Sequence, residues 1–195
     1  MSRLFLYFLM YSFFGYCLEK LFACATRSSR QVRKCFLLLP LCPVYGLAMT
    51  AVVILSPRFE GFLSLALMCA VVCTSAEYVV HLFYDTVFHV RFWDYSELRG
   101  NVKGRICPQF SLIWGILSAA AVRFVHPIVA AVSETISPAA VFLLWMVFSV
   151  DCVLTAFLLR RTRDTEQLAL TALYLSNGSP ASPERRGRRT DGSSH

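Results

Sequence analysis

The sequence predicts an all-α fold, a polytopic helical membrane protein with about five transmembrane helices. The 195 residues are 56% hydrophobic and only 16% charged, whereas soluble domains have roughly 25% charged residues. Apolar blocks recur along the chain, each about 20 residues long, which is the length that crosses a bilayer as a helix. The blocks are continuously apolar and do not alternate with polar residues, so the pattern does not fit a transmembrane β-barrel.

The apolar blocks define a transmembrane domain, residues 1–160, followed by a polar basic tail, residues 161–195. The tail is dominated by Ser, Pro, Gly and Arg from about residue 177, so it cannot bury a core and we predict disorder there. The predicted spans are about 4–25, 36–55, 61–84, 109–132 and 138–159.

Lys and Arg are concentrated in alternate connections between the blocks. Segment 27–35 holds four, the stretch 91–115 holds four and the tail from Arg160 holds seven, against Arg3 and Arg58 on the other side. Because cytoplasmic loops carry the excess of basic residues, we predict an outside N-terminus and a cytoplasmic C-terminus. The predicted location is the cell (plasma) membrane, with the lipid bilayer as partner. No basic face accompanies a nucleic-acid-reading motif, so we expect no nucleic-acid partner.

The stretch from Arg91 to Gly115 is a long charged and aromatic segment between apolar blocks. Its aromatic residues suit the headgroup boundary of a bilayer. One interpretation is an interfacial loop anchored by these rings, and the other is a gate closing the cytoplasmic mouth of a cavity. Arg105 is predicted to pair with Asp94, Glu19 or Glu77. The candidate gate residues are Trp93, Asp94, Tyr95 and Arg105.

Ionisable residues also lie inside the predicted spans, namely Glu19, Glu77, Arg123 and Asp151. Each costs about 2.5–3.5 kcal/mol at mid-helix on insertion scales, so pairing or a hydrated cavity is expected. One hypothesis is an ion pair of Arg123 with Asp151 or Glu77 that fixes helix register. The other is a solute or proton pathway.

The second block carries Pro40, Pro43 and Gly46 in its first half. Proline removes a backbone donor and crowds the preceding turn, so this helix should start late, kink or unwind there. Two interpretations of this break are consistent with the sequence, an ordinary proline kink and a break that lines a cavity. With the predicted orientation, this break, Glu19 and Glu77 all fall in the cytoplasmic half.

Two patterns recur every four residues, which places their members on one helix face. Ser111, Gly115 and Ala119 form a small-residue face suited to close helix packing. The other pattern is a polar seam that comprises Cys69, Cys73, Glu77, His81 and Asp85. Its Glu77 and His81 are too few ligands to predict a metal site.

None of the eight cysteines forms a C-x-x-C pair, so no disulfide framework is predicted. No cofactor is predicted either.

Several ordered motifs resemble the putative ABC-transporter type IV family of bacterial membrane proteins over residues 8–130. The chain departs from the family pattern at Leu39, where the family usually has glycine, and at Pro108, where it usually has leucine. The motifs are Tyr11-Ser12-Phe13-Phe14-Gly15-Tyr16 with Glu19, Leu41-Cys42-Pro43-Val44-Tyr45-Gly46, Glu77-Tyr78, Trp93-Asp94-Tyr95-Ser96, Asn101 to Cys107, Trp114-Gly115 and His126-Pro127.

The resemblance implies a permease, a membrane transport component. The positions of Glu19, Glu77 and the second-helix break predict a polar cavity on its cytoplasmic side. The chain contains no G-x-x-x-x-G-K-[ST] phosphate loop, so a separate cytosolic ATPase subunit is the implied partner. The sequence does not decide whether the chain forms a homo-oligomer. The alternatives are a membrane-embedded enzyme acting on lipid or peptide through paired carboxylates, or a non-catalytic structural or accessory membrane protein. No nucleophile–base motif accompanies the carboxylates, so the sequence favours transport over enzymatic activity.

Overall fold

The computed structural model describes residues 2–25 and 36–163, and the predicted disorder of the tail lies outside these residues. The described segments are helical apart from their connections, and they contain no β-strand. The six α-helices, in chain order, are α1 Ser2–Ala25, α2 Pro43–Leu55, α3 Phe62–Phe83, α4 Pro108–Ala120, α5 His126–Thr135 and α6 Pro138–Thr162.

Short irregular helices extend or join these elements. A 3₁₀ turn, Ser56–Arg58, follows α2, and a π-helical turn, Tyr84–Phe88, continues α3. A second π-helical turn, Ala121–Val125, joins α4 to α5. The second one ends two residues before Pro127, which has no N–H and whose ring crowds the carbonyl four residues earlier. A widened turn at this point relieves that crowding without breaking the helix.

Among the described residues, four helical segments are long and apolar enough to cross a membrane, and Pro43–Arg58 is a shorter apolar helix. This confirms the predicted fold class, a polytopic helical membrane protein. The four long segments are Ser2–Cys24, Phe62–Phe88, Pro108–Thr135 and Pro138–Thr162.

The centre of the bundle is formed by α1 to α4, and small residues allow these helices to approach closely. A Cβ atom added to Gly115 would lie 2.7 Å from Cβ of Ala70 and 2.8 Å from the carbonyl oxygen of Ala66. Ala119, one turn further along α4, is fully buried. The small-residue face predicted on this helix is therefore the surface that packs against α3.

The second apolar block is helical only from Pro43, and residues 36–42 form a non-helical approach to α2. The side chain of Leu37 is fully buried. Backbone groups of this approach bond to distant helices: Leu39 N donates to Oδ2 of Asp151 at 3.2 Å, and Cys42 N donates to the carbonyl of Ser12 at 2.9 Å. Irregular backbone at membrane depth needs such partners, because lipid offers none.

The last helix, α6, packs on the bundle mainly through one edge. Asp151, Thr155 and Leu159 are its buried residues, and the Leu159 side chain joins an aromatic cluster with Tyr84 and Phe92. The rest of the helix presents large apolar side chains outward. This outward surface has the composition of a lipid-facing one.

Candidate functional site

A cavity of about 430 Å³ lies between the first four helices, at the end of the bundle where residues 89–107 form a loop. Its walls are the C-terminal part of α1, the N-terminal part of α2, the C-terminal half of α3 and most of the length of α4. Most of the lining side chains are apolar or aromatic. Trp93 and Tyr95 of the 89–107 loop also line it, so the loop closes one end of the cavity.

Glu77 of α3 contributes a carboxyl group to the cavity and is only 7% exposed. Its Oε1 accepts a hydrogen bond from the Tyr95 hydroxyl at 2.8 Å. Its Oε2 is buried and has no hydrogen-bond partner among the described residues. The indole of Trp114 lies close to the same carboxyl group but does not complete a hydrogen bond to Oε2. Such a buried acceptor is costly unless a ligand, water or proton satisfies it.

Glu19 of α1 contributes the second carboxyl group of the cavity, and a tyrosine holds this one as well. The Tyr45 hydroxyl donates to Oε1 of Glu19 at 2.7 Å. The Tyr45 ring lies directly against Gly15, where a side chain would collide with it. The glycine therefore leaves the space that lets the α2 tyrosine reach the α1 carboxylate.

An aromatic row connects the two tyrosine–glutamate pairs. The rings of Tyr95 and Phe110 stack with centroids 5.0 Å apart, and the centroids of Phe110 and Trp114 are 6.2 Å apart. Trp114 meets Tyr45 edge to face at 5.5 Å. Tyr45, Phe110 and Trp114 were not predicted as site residues. The spacing of Phe110 and Trp114, four residues apart on one helix, was the available signal.

The 89–107 loop is held in shape by its own polar groups. Asn101 donates through Nδ2 to the carbonyl of Leu98 at 2.7 Å and accepts through Oδ1 from Gly104 N at 2.9 Å. Gly104 has a φ of 69°, a conformation that glycine adopts without strain. Its carbonyl accepts from Tyr95 N at 2.8 Å. These bonds fix the backbone of Tyr95 and aim its side chain at Glu77.

Trp93 is the second anchor of the loop. Its indole N–H donates to the carbonyl of Arg105 at 3.0 Å, and its own carbonyl lies 3.1 Å from Nε2 of His81. The polar seam predicted on α3 therefore faces the cavity and the loop: Cys73 and Glu77 line the cavity, and His81 contacts the loop. The remaining ring nitrogen of His81, Nδ1, has no hydrogen-bond partner among the described residues.

Arg105 lies beside the cavity, and its predicted partners were wrong. Its guanidinium pairs with Asp85 at 3.0 Å and donates to the Tyr78 hydroxyl at 3.3 Å, rather than pairing with Asp94, Glu19 or Glu77. The backbone turn near Gly104 directs the arginine along the outer face of α3, where both partners lie. The hydrogen bond to Asp85 raises the pKa of Arg105, so the guanidinium keeps its proton and the ion pair persists.

Asp94 is exposed and stabilises the loop locally rather than lining the cavity. Its Oδ1 accepts from Ser96 N at 2.9 Å and also from the Ser96 hydroxyl. These donors hold the pKa of the Asp94 carboxyl below its ordinary value. At the neighbouring position, burial and the Glu77 carboxyl raise the pKa of Tyr95, so the tyrosine keeps its proton and remains a donor.

Arg123 and Asp151 lie outside the cavity, and the expected ion pair of Arg123 with Asp151 or Glu77 is absent from the described residues. Arg123 instead donates to the carbonyl of Glu60, in the connection between α2 and α3. Its position in the π-helical turn that follows α4 allows the side chain to reach that connection. Asp151 accepts from the backbone of Leu39 and so supports the approach to α2.

The predicted helix break lies next to the cavity. Pro43 occupies the first turn of α2 and Pro40 is an exposed residue of the approach. Gly46 is buried against α1, where an added Cβ would come within 2.5 Å of the carbonyl of Phe8. Val44 and Tyr45, between the last two break residues, line the cavity.

Cysteine pairing differs from the sequence prediction at one position. Cys42 is disulfide-bonded, although the spacing of the cysteines predicted no disulfide framework. The free cysteines of the described segments are Cys17, Cys24, Cys69, Cys73, Cys107 and Cys152.

The charge of the cavity lining is one-sided. Glu19 and Glu77 are its ionisable acids, and none of the described residues lining it is Lys, Arg or His. An apolar pocket with a few convergent polar groups is the usual form of a small-molecule site. The lining is less polar than the sequence predicted, because most of its side chains are apolar or aromatic.

The apolar helices of the described segments define a multi-pass membrane protein, and the cavity lies at one end of its bundle. The chain belongs to the family described as Putative ABC-transporter type IV, whose family model matches residues 6–156. This confirms the resemblance found in the sequence. Searches of the curated proteins and of the solved structures gave no significant match.

Proposed function

We propose that the chain is the membrane-embedded component of a transport system and that the cavity beneath the 89–107 loop holds the transported solute. The single observation that carries this proposal is the Glu77 carboxyl group: it is buried in the cavity, and its Oε2 has no hydrogen-bond partner among the described residues. A group of this kind costs stability in a structural role and is explained by a ligand that satisfies it. Membership of the family is consistent with a transport role.

The 89–107 loop is the proposed gate of this cavity. Tyr95 closes the cavity from the loop side and is joined to α3 by its hydrogen bond to Glu77. A solute that approaches Glu77 competes for this carboxylate, so binding and loop opening are coupled. The Arg105–Asp85 pair tethers the loop outside the cavity and limits how far it moves.

The end of the bundle that carries the cavity is proposed to face the cytoplasm. The supporting observation is the basic loop at that end, since basic connections remain inside the cell. A reporter fused to the C-terminus should be active only in the cytoplasm. Reporter activity only outside the cytoplasm would contradict the proposed orientation in the membrane.

A separate ATPase subunit is the proposed source of energy, and the basic 89–107 loop is its proposed docking surface. Purification from the native host in a mild detergent should recover a nucleotide-hydrolysing partner. An R99E/K103E variant, changed at two solvent-facing loop positions, should lose that partner. Recovery of the chain without any ATPase would contradict this part of the proposal.

The transport role is tested in a deletion strain of the native host by comparing the solutes of the growth medium over time. The strain should fail to take up, or fail to release, a solute that the parent handles, and the unaltered gene should restore this. The Glu77→Gln variant should not restore it. Glu134→Gln is the matched control, because Glu134 is an exposed partner of Arg3 outside the cavity lining.

Comparable amounts of each variant in the membrane make the comparison valid. No difference in any solute between the deletion strain and its parent would overturn the transport proposal. Full restoration by Glu77→Gln would show that this carboxylate has no part in it. The Glu77→Gln variant could be lost from the membrane while an abundant Glu19→Gln variant handles solutes normally. That combination would assign the carboxylates a structural role.

A further inference from the structure

We propose that the cavity binds an organic ammonium ion with an apolar body, and this inference rests on the proposed role of the cavity as the solute site. Three independent features of the described residues support it. They are the charge of the lining, the arrangement of its aromatic rings and the side on which the cavity is open.

The charge of the lining selects a cation. Glu19 and Glu77 line the cavity, and no described basic residue does so. Each carboxyl group receives one tyrosine hydroxyl, from Tyr45 and from Tyr95, which are neutral donors. Since Oε2 of Glu77 is also unpartnered among the described residues, a cationic ligand would both satisfy this oxygen and balance the charge of the acids. An anionic ligand would meet two carboxyl groups with no cation to offset them.

The aromatic rings suit an ammonium group and an apolar body together. Tyr95, Phe110, Trp114 and Tyr45 form a row between the two carboxyl groups. A cation is attracted to the face of such rings, and the attraction increases when water is excluded. The same rings provide apolar contact area for the remainder of the molecule.

The open side of the cavity lies between α1 and α4. Leu21 and Phe22 of α1 line the cavity and are 67% and 52% exposed, and Ile113 of α4 lines it and is 51% exposed. All are apolar, so this opening suits a molecule that approaches through the lipid rather than a fully hydrated ion. The cavity volume of about 430 Å³ falls within the range of small-molecule sites, roughly 300–1,000 Å³.

A series of probes of equal shape tests the inference on the purified full-length chain. Binding of phenylbutylammonium, phenylbutanol and phenylbutyrate is measured by isothermal titration calorimetry in an uncharged maltoside detergent at neutral pH. We expect the ammonium probe to bind about tenfold more tightly than the alcohol, and the carboxylate more weakly than both. Equal binding of the three probes, or tightest binding of the carboxylate, would overturn the inference.

Two variants then locate the site. Glu77→Gln should weaken ammonium binding about tenfold and leave alcohol binding unchanged, because only the charge is removed. Retained alcohol binding shows in the same experiment that the cavity is intact. If Glu77→Gln does not fold, Glu19→Gln provides the same comparison from the other carboxyl group. The control variant Glu134→Gln should bind the ammonium probe as the unaltered chain does. Unchanged ammonium binding in both Glu77→Gln and Glu19→Gln would place the site elsewhere.

Failure of this inference is distinguishable from failure of the proposed function. If the deletion strain reveals a neutral or anionic solute and the ammonium probe shows no preference, the transport role stands and the ligand class is wrong. If the probe binds as expected and no solute changes in the strain, the site stands and the transport role is wrong.

Discussion

The Tyr95 hydroxyl donates to Oε1 of Glu77 across 2.8 Å, and this bond joins the 89–107 loop to the interior of α3. The backbone of Tyr95 is held in place by the hydrogen bond that its N–H donates to the carbonyl of Gly104. The loop therefore reaches the Glu77 carboxyl group through the side chain of Tyr95. Its contribution to stability and its role in closing the cavity can be measured separately.

Replacing Tyr95 with Phe should destabilise the protein by about 1–3 kcal/mol, because both oxygens of the buried Glu77 carboxyl group would then lack a donor. Thermal unfolding is followed with a thiol-reactive dye that detects Cys69, Cys73 and Cys107 as they become exposed. Tyr7→Phe is the control, since the Tyr7 ring contacts His126 and not the cavity. Equal unfolding temperatures for the two variants would contradict the assigned role of the hydroxyl group.

Replacing Gly115 with Ser should destabilise the contact of α3 with α4 by about 1–3 kcal/mol, the usual cost of overpacking. The added Cβ would lie 2.7 Å from that of Ala70. Gly61→Ser is the matched change, because Gly61 is the N-cap of α3 and serine is favoured at that position. The same thermal assay should show a loss for the first variant and none for the second. A similar loss for both would indicate that the close approach at Gly115 is unimportant.

Replacing Asp151 with Ala should cost about 1–3 kcal/mol, because the Leu39 N–H loses the carboxylate that accepts from it. Asp151→Asn should be milder, since its amide oxygen can still accept that bond. The unfolding temperatures of the two variants are compared with that of Val150→Ala, at an exposed position on the same helix. Identical behaviour of all three would exclude a structural role for the bond.

The Asp94 carboxyl should make the loop sensitive to acid. Its pKa is held below the ordinary value of 3.8 by the Ser96 hydroxyl and N–H groups. Its stabilising contribution is therefore fully present above that value and is lost as the pH falls through the lower pKa of the folded state. The difference in unfolding temperature between the unaltered chain and Asp94→Asn should shrink between about pH 5 and pH 3. Glu97→Gln, an exposed change in the same loop, should show no such trend.

Replacing Arg105 with Lys should lower the unfolding temperature more than replacing Arg91 with Lys. Arg105 uses two guanidinium nitrogens to reach Asp85 and the Tyr78 hydroxyl, and the single ammonium group of lysine does not reproduce that fork. Arg91 is 59% exposed and lies 3.5 Å from the same aspartate. Limited proteolysis of the loop provides a second measurement, and equal cleavage of the two variants would contradict the prediction.

Composition and block length were sufficient to predict the helical membrane fold, because lipid leaves the backbone few alternatives to a helix. The late start of α2 also followed from local chemistry, since Pro43 has no N–H to donate and suits the first turn of a helix. The sequence placed Glu77 and Tyr95 on separate elements and named both as candidates. Their contact depends on how the loop folds back, which helix periodicity does not reveal.

The incorrect predictions concern which groups a charged side chain contacts, not which residues are charged. Arg123 and Asp151 were paired by charge, yet both contact backbone groups of segments that are distant in sequence. Backbone donors and acceptors are present at every position, so no residue pattern marks the ones that a side chain will meet. Arg105 was expected to pair with Asp94, Glu19 or Glu77, and it pairs with Asp85 and the Tyr78 hydroxyl instead.

The bond between Leu39 and Asp151 also sets an order in which the protein can be completed. The two residues are 112 positions apart, so the acceptor is synthesised long after its donor has left the ribosome. Until α6 enters the membrane, the approach to α2 lacks a partner that lipid does not replace. A chain that ends before α6 therefore has an approach to α2 without the Asp151 acceptor.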